Sequence, residues 1–156
     1  MERSIILIGM PGCGKSTVGK KLAEKTSLPM YDTDSIIEQD SGISIPEIFS
    51  TRGETYFREL ETEALKKALS FPPGIIACGG GIVLKDENRE LLKKGFTVFL
   101  ERPLDKLVKK GRPLSETRDL SDLYSERIGF YKECADLTVE NNFLDDTAKK
   151  ILNAKK

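Results

Sequence analysis

Near its start the chain runs Ser4-Ile5-Ile6-Leu7-Ile8 and then breaks into Gly9-Met10-Pro11-Gly12-Cys13-Gly14-Lys15-Ser16, with Thr17 following at once. β-Branched residues on both faces suit a strand buried on both sides, as in a parallel sheet. Such a strand needs neighbours and helical cover, which points to a layered α/β architecture. The eight residues after it match G-x-x-x-x-G-K-[ST], and Lys15–Ser27 reads as the helix that this motif requires next. Gly9, Gly12 and Gly14 let the backbone wrap an anion with successive N–H groups pointing inward. The helix adds its positive N-terminal end. Lys15 is placed to reach β- and γ-phosphates, and the Ser16 hydroxyl to ligate magnesium. The expected nucleotide site is therefore Gly9, Gly12, Cys13, Gly14, Lys15, Ser16 and Thr17. Cys13, inside the cradle and near a helix N-terminus, is expected to be a reactive thiol that bound nucleotide protects.

The rest of the chain repeats the alternation. Strands are predicted at Met30–Asp32, Gly74–Cys78, Gly95–Leu100 and Asp136–Val139. Helices are predicted near Glu54–Leu69, Asp86–Lys94, Leu104–Lys110, Leu120–Cys134 and Thr147–Asn153. That order predicts a parallel sheet with helices on both faces, in one domain over residues 1–156. Twenty-five basic residues balance twenty-five acidic ones, which argues against nucleic-acid binding. There is no histidine, so no Ser-His-Asp triad, histidine base or histidine metal ligand is available. Cys13, Cys78 and Cys134 are widely spaced and odd in number, as expected for reduced thiols in the cytoplasm. The Ile5–Gly9 stretch is too short for a membrane span, and no membrane role is expected.

What happens to the nucleotide is a separate question. No guanine-reading N-K-x-D follows a later strand, and the strand ending at Cys78 runs into Gly79-Gly80-Gly81 instead of a hydrolytic aspartate. Asp32 and Asp34 flank Thr33 at the end of the second strand, where positions i and i+2 face the same side. That side, beyond the strand C-termini, is where parallel sheets bind ligands. Ser35-Ile36-Ile37-Glu38 reads as a capping box with Ser35 as N-cap, which leaves Asp34 free. Asp32 is expected to hold magnesium through water, and Asp34 to orient or deprotonate an acceptor hydroxyl. Arg58 has Glu54 and Glu61 at helical spacing, so a solvated ion-pair face and a ligand site stand about even. Arg127 has Leu123, Tyr124, Phe130 and Tyr131 around it and no local carboxylate, so it needs a distant anion, either a protein carboxylate or a ligand carboxylate, with the ligand favoured. Three consecutive glycines, Gly79, Gly80 and Gly81, suggest close backbone approach to a small ligand. Gly111 and Pro113 break a helix and leave a polar loop to about Ser121 with Arg112 and Arg118 on it. Either a plain basic loop or an arginine-bearing lid fits that segment. Charge is segregated to match: residues 1–31 carry five basic and two acidic side chains, residues 32–70 four and nine, residues 101–118 six and three.

Taken in order, Gly9–Thr17, Asp32-Thr33-Asp34, Phe57-Arg58 with Glu61, Gly79-Gly80-Gly81, Arg112-Pro113-Leu114 and Glu126-Arg127 with Tyr131 resemble the shikimate kinases. These are small P-loop kinases of the nucleoside-monophosphate-kinase type. The resemblance implies a three-layer fold with a five-stranded parallel sheet in order 2-3-1-4-5, substrate-binding helices over about 35–70 and a short lid over about 110–121. It implies transfer of the ATP γ-phosphoryl group to the 3-hydroxyl of shikimate, in the pathway to chorismate and the aromatic amino acids, with Mg2+ as cofactor. It also implies that Arg58 and Arg127 clamp the shikimate carboxylate, that Glu61 holds Arg58, and that Asp34 and the glycine triplet hold ring hydroxyls. Lys15, Ser16, Asp32 and Arg112 would manage phosphates and metal. The expected partners are ATP and shikimate alone, bound by a monomer. After the fifth strand, Glu140-Asn141-Asn142-Phe143 lacks the Arg- and Pro-containing loop common in the family. The alternatives are a gluconate- or nucleotide-kinase-like enzyme, or a nucleotide-sensing module that transfers nothing.

Overall fold

The computed structural model describes residues 3–107 and 119–155. Five parallel strands form its centre: β1 (Ile5–Ile8), β2 (Met30–Asp32), β3 (Ile75–Ala77), β4 (Phe96–Glu101) and β5 (Leu137–Glu140). Their order is β2-β3-β1-β4-β5, as the resemblance implied. β1 pairs with β3 through Ile5↔Ile75 and with β4 through Ile5↔Phe96, so it lies between two partners and all four of its residues are buried. This is why its sequence is apolar on both faces.

Between the strands run α1 (Lys15–Thr26), α2 (Thr33–Ser41), α3 (Ile45–Arg52), α4 (Glu54–Ser70), α5 (Asp86–Leu92), α6 (Leu120–Cys134) and, at the end, α7 (Leu144–Lys155). The chain steps from β1 outward to β2 and thereafter moves the other way across the sheet. Right-handed crossovers therefore put α1 on one face and α4, α5 and α6 on the other; α7 packs against α1. One apolar core spans the sheet and its helices, while Ile37, Ile48, Phe57 and Ala64 form a smaller one within α2, α3 and α4.

Three points differ from the sequence reading. Ser35 is not the N-cap of the second helix: the cap is Asp32, three residues earlier, whose side chain accepts from the Ser35 backbone N–H. Glu38, released from the supposed capping box, accepts from the Ile45 N–H at 2.9 Å. The helix α3 falls within the 35–70 stretch where the resemblance implied helices, but the residue pattern alone did not show it: eight residues with Pro46 near the start carry too little periodicity, and the Ser44 side chain and the small core sustain it. Of the helix expected at Leu104–Lys110, the described part is a single 3₁₀ turn, Leu104–Lys106.

Candidate active site

At the C-terminal end of β1 the chain turns through Gly9, Gly12 and Gly14 with φ of +150°, +84° and +99°. Gly9 is needed sterically as well, since a Cβ there would sit 2.6 Å from the Leu100 carbonyl oxygen. Gly14 is the N-cap of α1, which has no side-chain cap and no acidic residue in its first turn. Its first N–H groups are thus left for an anion. Lys15 Nζ donates to the carbonyls of Gly9 (2.7 Å) and Met10 (3.0 Å), which holds the ammonium over the loop. Ser16 Oγ donates to Asp32 Oδ2 at 3.3 Å, while Thr17 lies exposed one position on. The Cys13 thiol has Lys15 Nζ 3.7 Å from its Sγ but is fully buried among core residues, which opposes the reagent access that the expected reactivity needs.

The loop opens onto a cleft of about 320 Å3 at the C-terminal ends of β1, β2 and β3. One wall is apolar, with Ile45, Pro46 and Phe49 from α3 and Phe57 from α4. The other walls are charged. Arg58, 8% exposed, donates Nη1 to Glu61 Oε1 at 3.0 Å, and its Nε and Nη2 to Glu54 Oε2 at 3.3 and 3.2 Å. Arg58 is ion-paired along its own helix, but the pair is buried and not a solvated face, and the side chain lines the cleft. Arg127, from α6, is 1% exposed, and its Nε and Nη1 have no hydrogen-bond partner among the described residues. Buried cationic donors in that state call for an anion. Glu61, equally buried, keeps Oε2 unpartnered; burial raises its pKa, against the lowering by Arg58 and Arg127.

Asp34 sits in the first turn of α2 and not in extended chain, yet it and Asp32 both line the cleft. Burial, then the charges of Asp32 and Glu61, push its pKa up to about 7, with Lys15 pulling the other way. No described residue donates a hydrogen bond to it. A half-buried carboxyl poised near neutrality beside a phosphate cradle suits a general base.

The glycine triplet makes room for this cluster. A Cβ on Gly79 would stand 2.9 Å from both Asp34 Oδ1 and Glu61 Oε2, and one on Gly80 would stand 3.2 Å from Arg127 Nη1. On Gly81 it would overlap the Arg58 guanidinium. Two buried residues lock the triplet: Thr33 Oγ1 accepts from the Gly79 N–H at 3.1 Å, and Tyr131 Oη donates to the Gly80 carbonyl at 2.6 Å. Tyr131 is itself stacked on Phe99, with centroids 5.0 Å apart. The structure thus brings together Lys15, Ser16, Asp32, Asp34, Arg58, Gly79, Gly80, Gly81 and Arg127. Arg112 and Arg118, and most of the lid expected at 110–121, lie outside the described residues. Sequence reasoning missed the apolar wall of α3 and the lock formed by Thr33.

The shikimate kinase family profile matches residues 11–155. A shikimate kinase of Clostridium botulinum (strain Eklund 17B) is 38% identical, over 97% of this chain and 96% of its own length. Among solved structures, a shikimate kinase from Acinetobacter baumannii in complex with shikimate has a TM-score of 0.93 and 36% identity, covering 99% of this chain and 93% of its own. The shikimate kinase from Aquifex aeolicus has a TM-score of 0.86 and 35% identity, covering 97% and 95%.

Proposed function

The chain belongs to the shikimate kinase family, an ATP-dependent kinase family, and from that premise we propose that its cleft transfers the γ-phosphoryl group of ATP to the 3-hydroxyl of shikimate. The observation that carries the acceptor assignment is Arg127, buried to 1% exposure with two unpartnered nitrogens beside Arg58. Together the two guanidiniums, both lining the cleft, present a site for a carboxylate. Neither a gluconate- or nucleotide-kinase-like enzyme nor a sensing module explains that pair.

The loop from Gly9 to Thr17 binds the ATP phosphates, with Lys15 and Arg112 offsetting charge that spreads over the transferring group. Asp34 and the Gly79–Gly81 backbone hold the ring hydroxyls. As the acceptor oxygen bonds to the γ-phosphorus, the bond to the bridging oxygen breaks and the hydroxyl proton passes to the Asp34 carboxylate. The products are shikimate 3-phosphate and ADP. The hydroxyl of Ser16 and the carboxylate of Asp32, 3.3 Å apart at the mouth of the cradle, form a hard-oxygen pair that fits Mg2+. Ser16 would bind the ion directly and Asp32 through water, and the bound ion would offset phosphate charge. We read residues 1–156 as one kinase domain acting as a monomer in the cytoplasm, with helices over about 35–70 binding substrate and the segment over about 110–121 acting as lid. No described helix is long and apolar enough to cross a membrane. ADP release measured with shikimate, gluconate and nucleoside monophosphates offered in turn tests the function. Turnover confined to shikimate supports it, and turnover only with another acceptor overturns it.

A further inference from the structure

We propose that Asn141 is a positioning residue for the phosphate cradle, acting through the peptide between Cys13 and Gly14. Asn141 follows β5 and is nine-tenths buried. Its Nδ2 donates to the Cys13 carbonyl oxygen at 2.7 Å, a contact 128 positions apart in sequence. A carbonyl only accepts, so the amide orientation is settled: NH2 meets Cys13, and Oδ1 faces Thr147. Thr147 Oγ1, in α7, lies 2.9 Å from Asn141 Oδ1 and 3.0 Å from the Phe143 carbonyl, and so ties the carboxamide to the helix. The peptide it grips is trans, and in a trans peptide the C=O and N–H point in opposite directions. Drawing the Cys13 carbonyl toward Asn141 therefore turns the Gly14 N–H the other way, into the loop. That N–H has no backbone partner among the described residues. Gly14 has a second reason to lack a side chain, because a Cβ there would stand 2.5 Å from Asn141 Nδ2. Asn141 thus aims a donor at the phosphates without touching them.

The proposal rests on the nucleotide reading of the cradle, so its test reads phosphate binding without turnover. Calorimetric titrations with Mg-ADP and with inorganic tripolyphosphate compare the wild type with Asn141→Ala, Thr147→Val and Thr147→Ser. Asn141→Ala is expected to weaken both ligands about tenfold, the equivalent of about 1.4 kcal/mol, with the KM for shikimate unchanged. Thr147→Val should lose part of that affinity, and Thr147→Ser, which keeps the hydroxyl, should restore it. Tripolyphosphate separates the cradle from the base: loss of ADP affinity alone would overturn the proposal. So would affinities within twofold of wild type in folded variants, or an equal loss of shikimate affinity. If Asn141→Ala does not fold, Thr147→Val decides by the same criteria. Wild-type protein that bound neither ligand would overturn the kinase reading itself, and this proposal with it.

Discussion

Replacing Asp34 by Asn removes a carboxylate whose charge the fold opposes, so the variant should be more stable than the wild type at neutral pH. In the folded protein the Asp34 carboxyl titrates at about 7, against about 3.9 in an unfolded chain. Between those values the folded state binds the extra proton, so stability is fully present below about pH 4 and is lost as pH rises through about 7. Each pH unit inside that window costs about 1.4 kcal/mol for a complete one-proton difference. From pH 5 to pH 7 the ceiling is therefore about 2.7 kcal/mol. Because Asp34 is only half-buried and water screens part of the repulsion from Asp32 and Glu61, about 2 kcal/mol is expected. Asn keeps the shape of the side chain and carries no charge, so its stability lacks this slope. Urea unfolding of both proteins at pH 5, 6, 7 and 8 measures the gap. With a slope near 2 kcal/mol per molar, the midpoint difference should widen by about 1 M between pH 5 and pH 7 in favour of the variant. A gap that stays constant across this range would refute the argument, because only a titrating Asp34 makes it depend on pH.

The same substitution should lower kcat by about 10²-fold or more, and wild-type kcat should rise with pH through about 7 as Asp34 ionises; a flat profile removes Asp34 from proton transfer. Arg127→Ala should weaken shikimate binding by about 1.5–3 kcal/mol, the worth of a charge-assisted contact, while Mg-ADP affinity measured by titration stays unchanged. Gly81→Ala drives a methyl group into the Arg58 guanidinium and should cost about 1–3 kcal/mol of stability along with shikimate affinity. Thermal unfolding with and without shikimate reads both, and an unchanged ligand response would show that Arg58 is not part of the acceptor site.

How much could be read in advance depends on the range of the physics. The strand–loop–helix from Ile5 to Thr26 was legible because its φ angles, its charge and its helix end are all set by residues within a few positions of one another. The ends of α6 were predicted to the residue, since Leu120, Leu123, Arg127 and Tyr131 bury one helical stripe. The ends of α3 were not, because its stability comes from Ile48 packing against Phe57 and Ile37 in other helices. Asp32 shows the same limit: a side chain that can cap or coordinate is assigned only when its partners, Ser35 N–H and Ser16 Oγ, are in place.

The sequence by itself determined the parallel α/β class, the phosphate cradle and the residue types left to carry the reaction, a set without histidine that phosphoryl transfer tolerates. Tertiary structure decided which of those residues meet. It set the near-neutral carboxyl of Asp34, the unpaired nitrogens of Arg127, and the hold of Asn141 on Cys13. Desolvation and charge–charge coupling depend on what surrounds a group in space, and the groups that surround these residues come from distant parts of the chain.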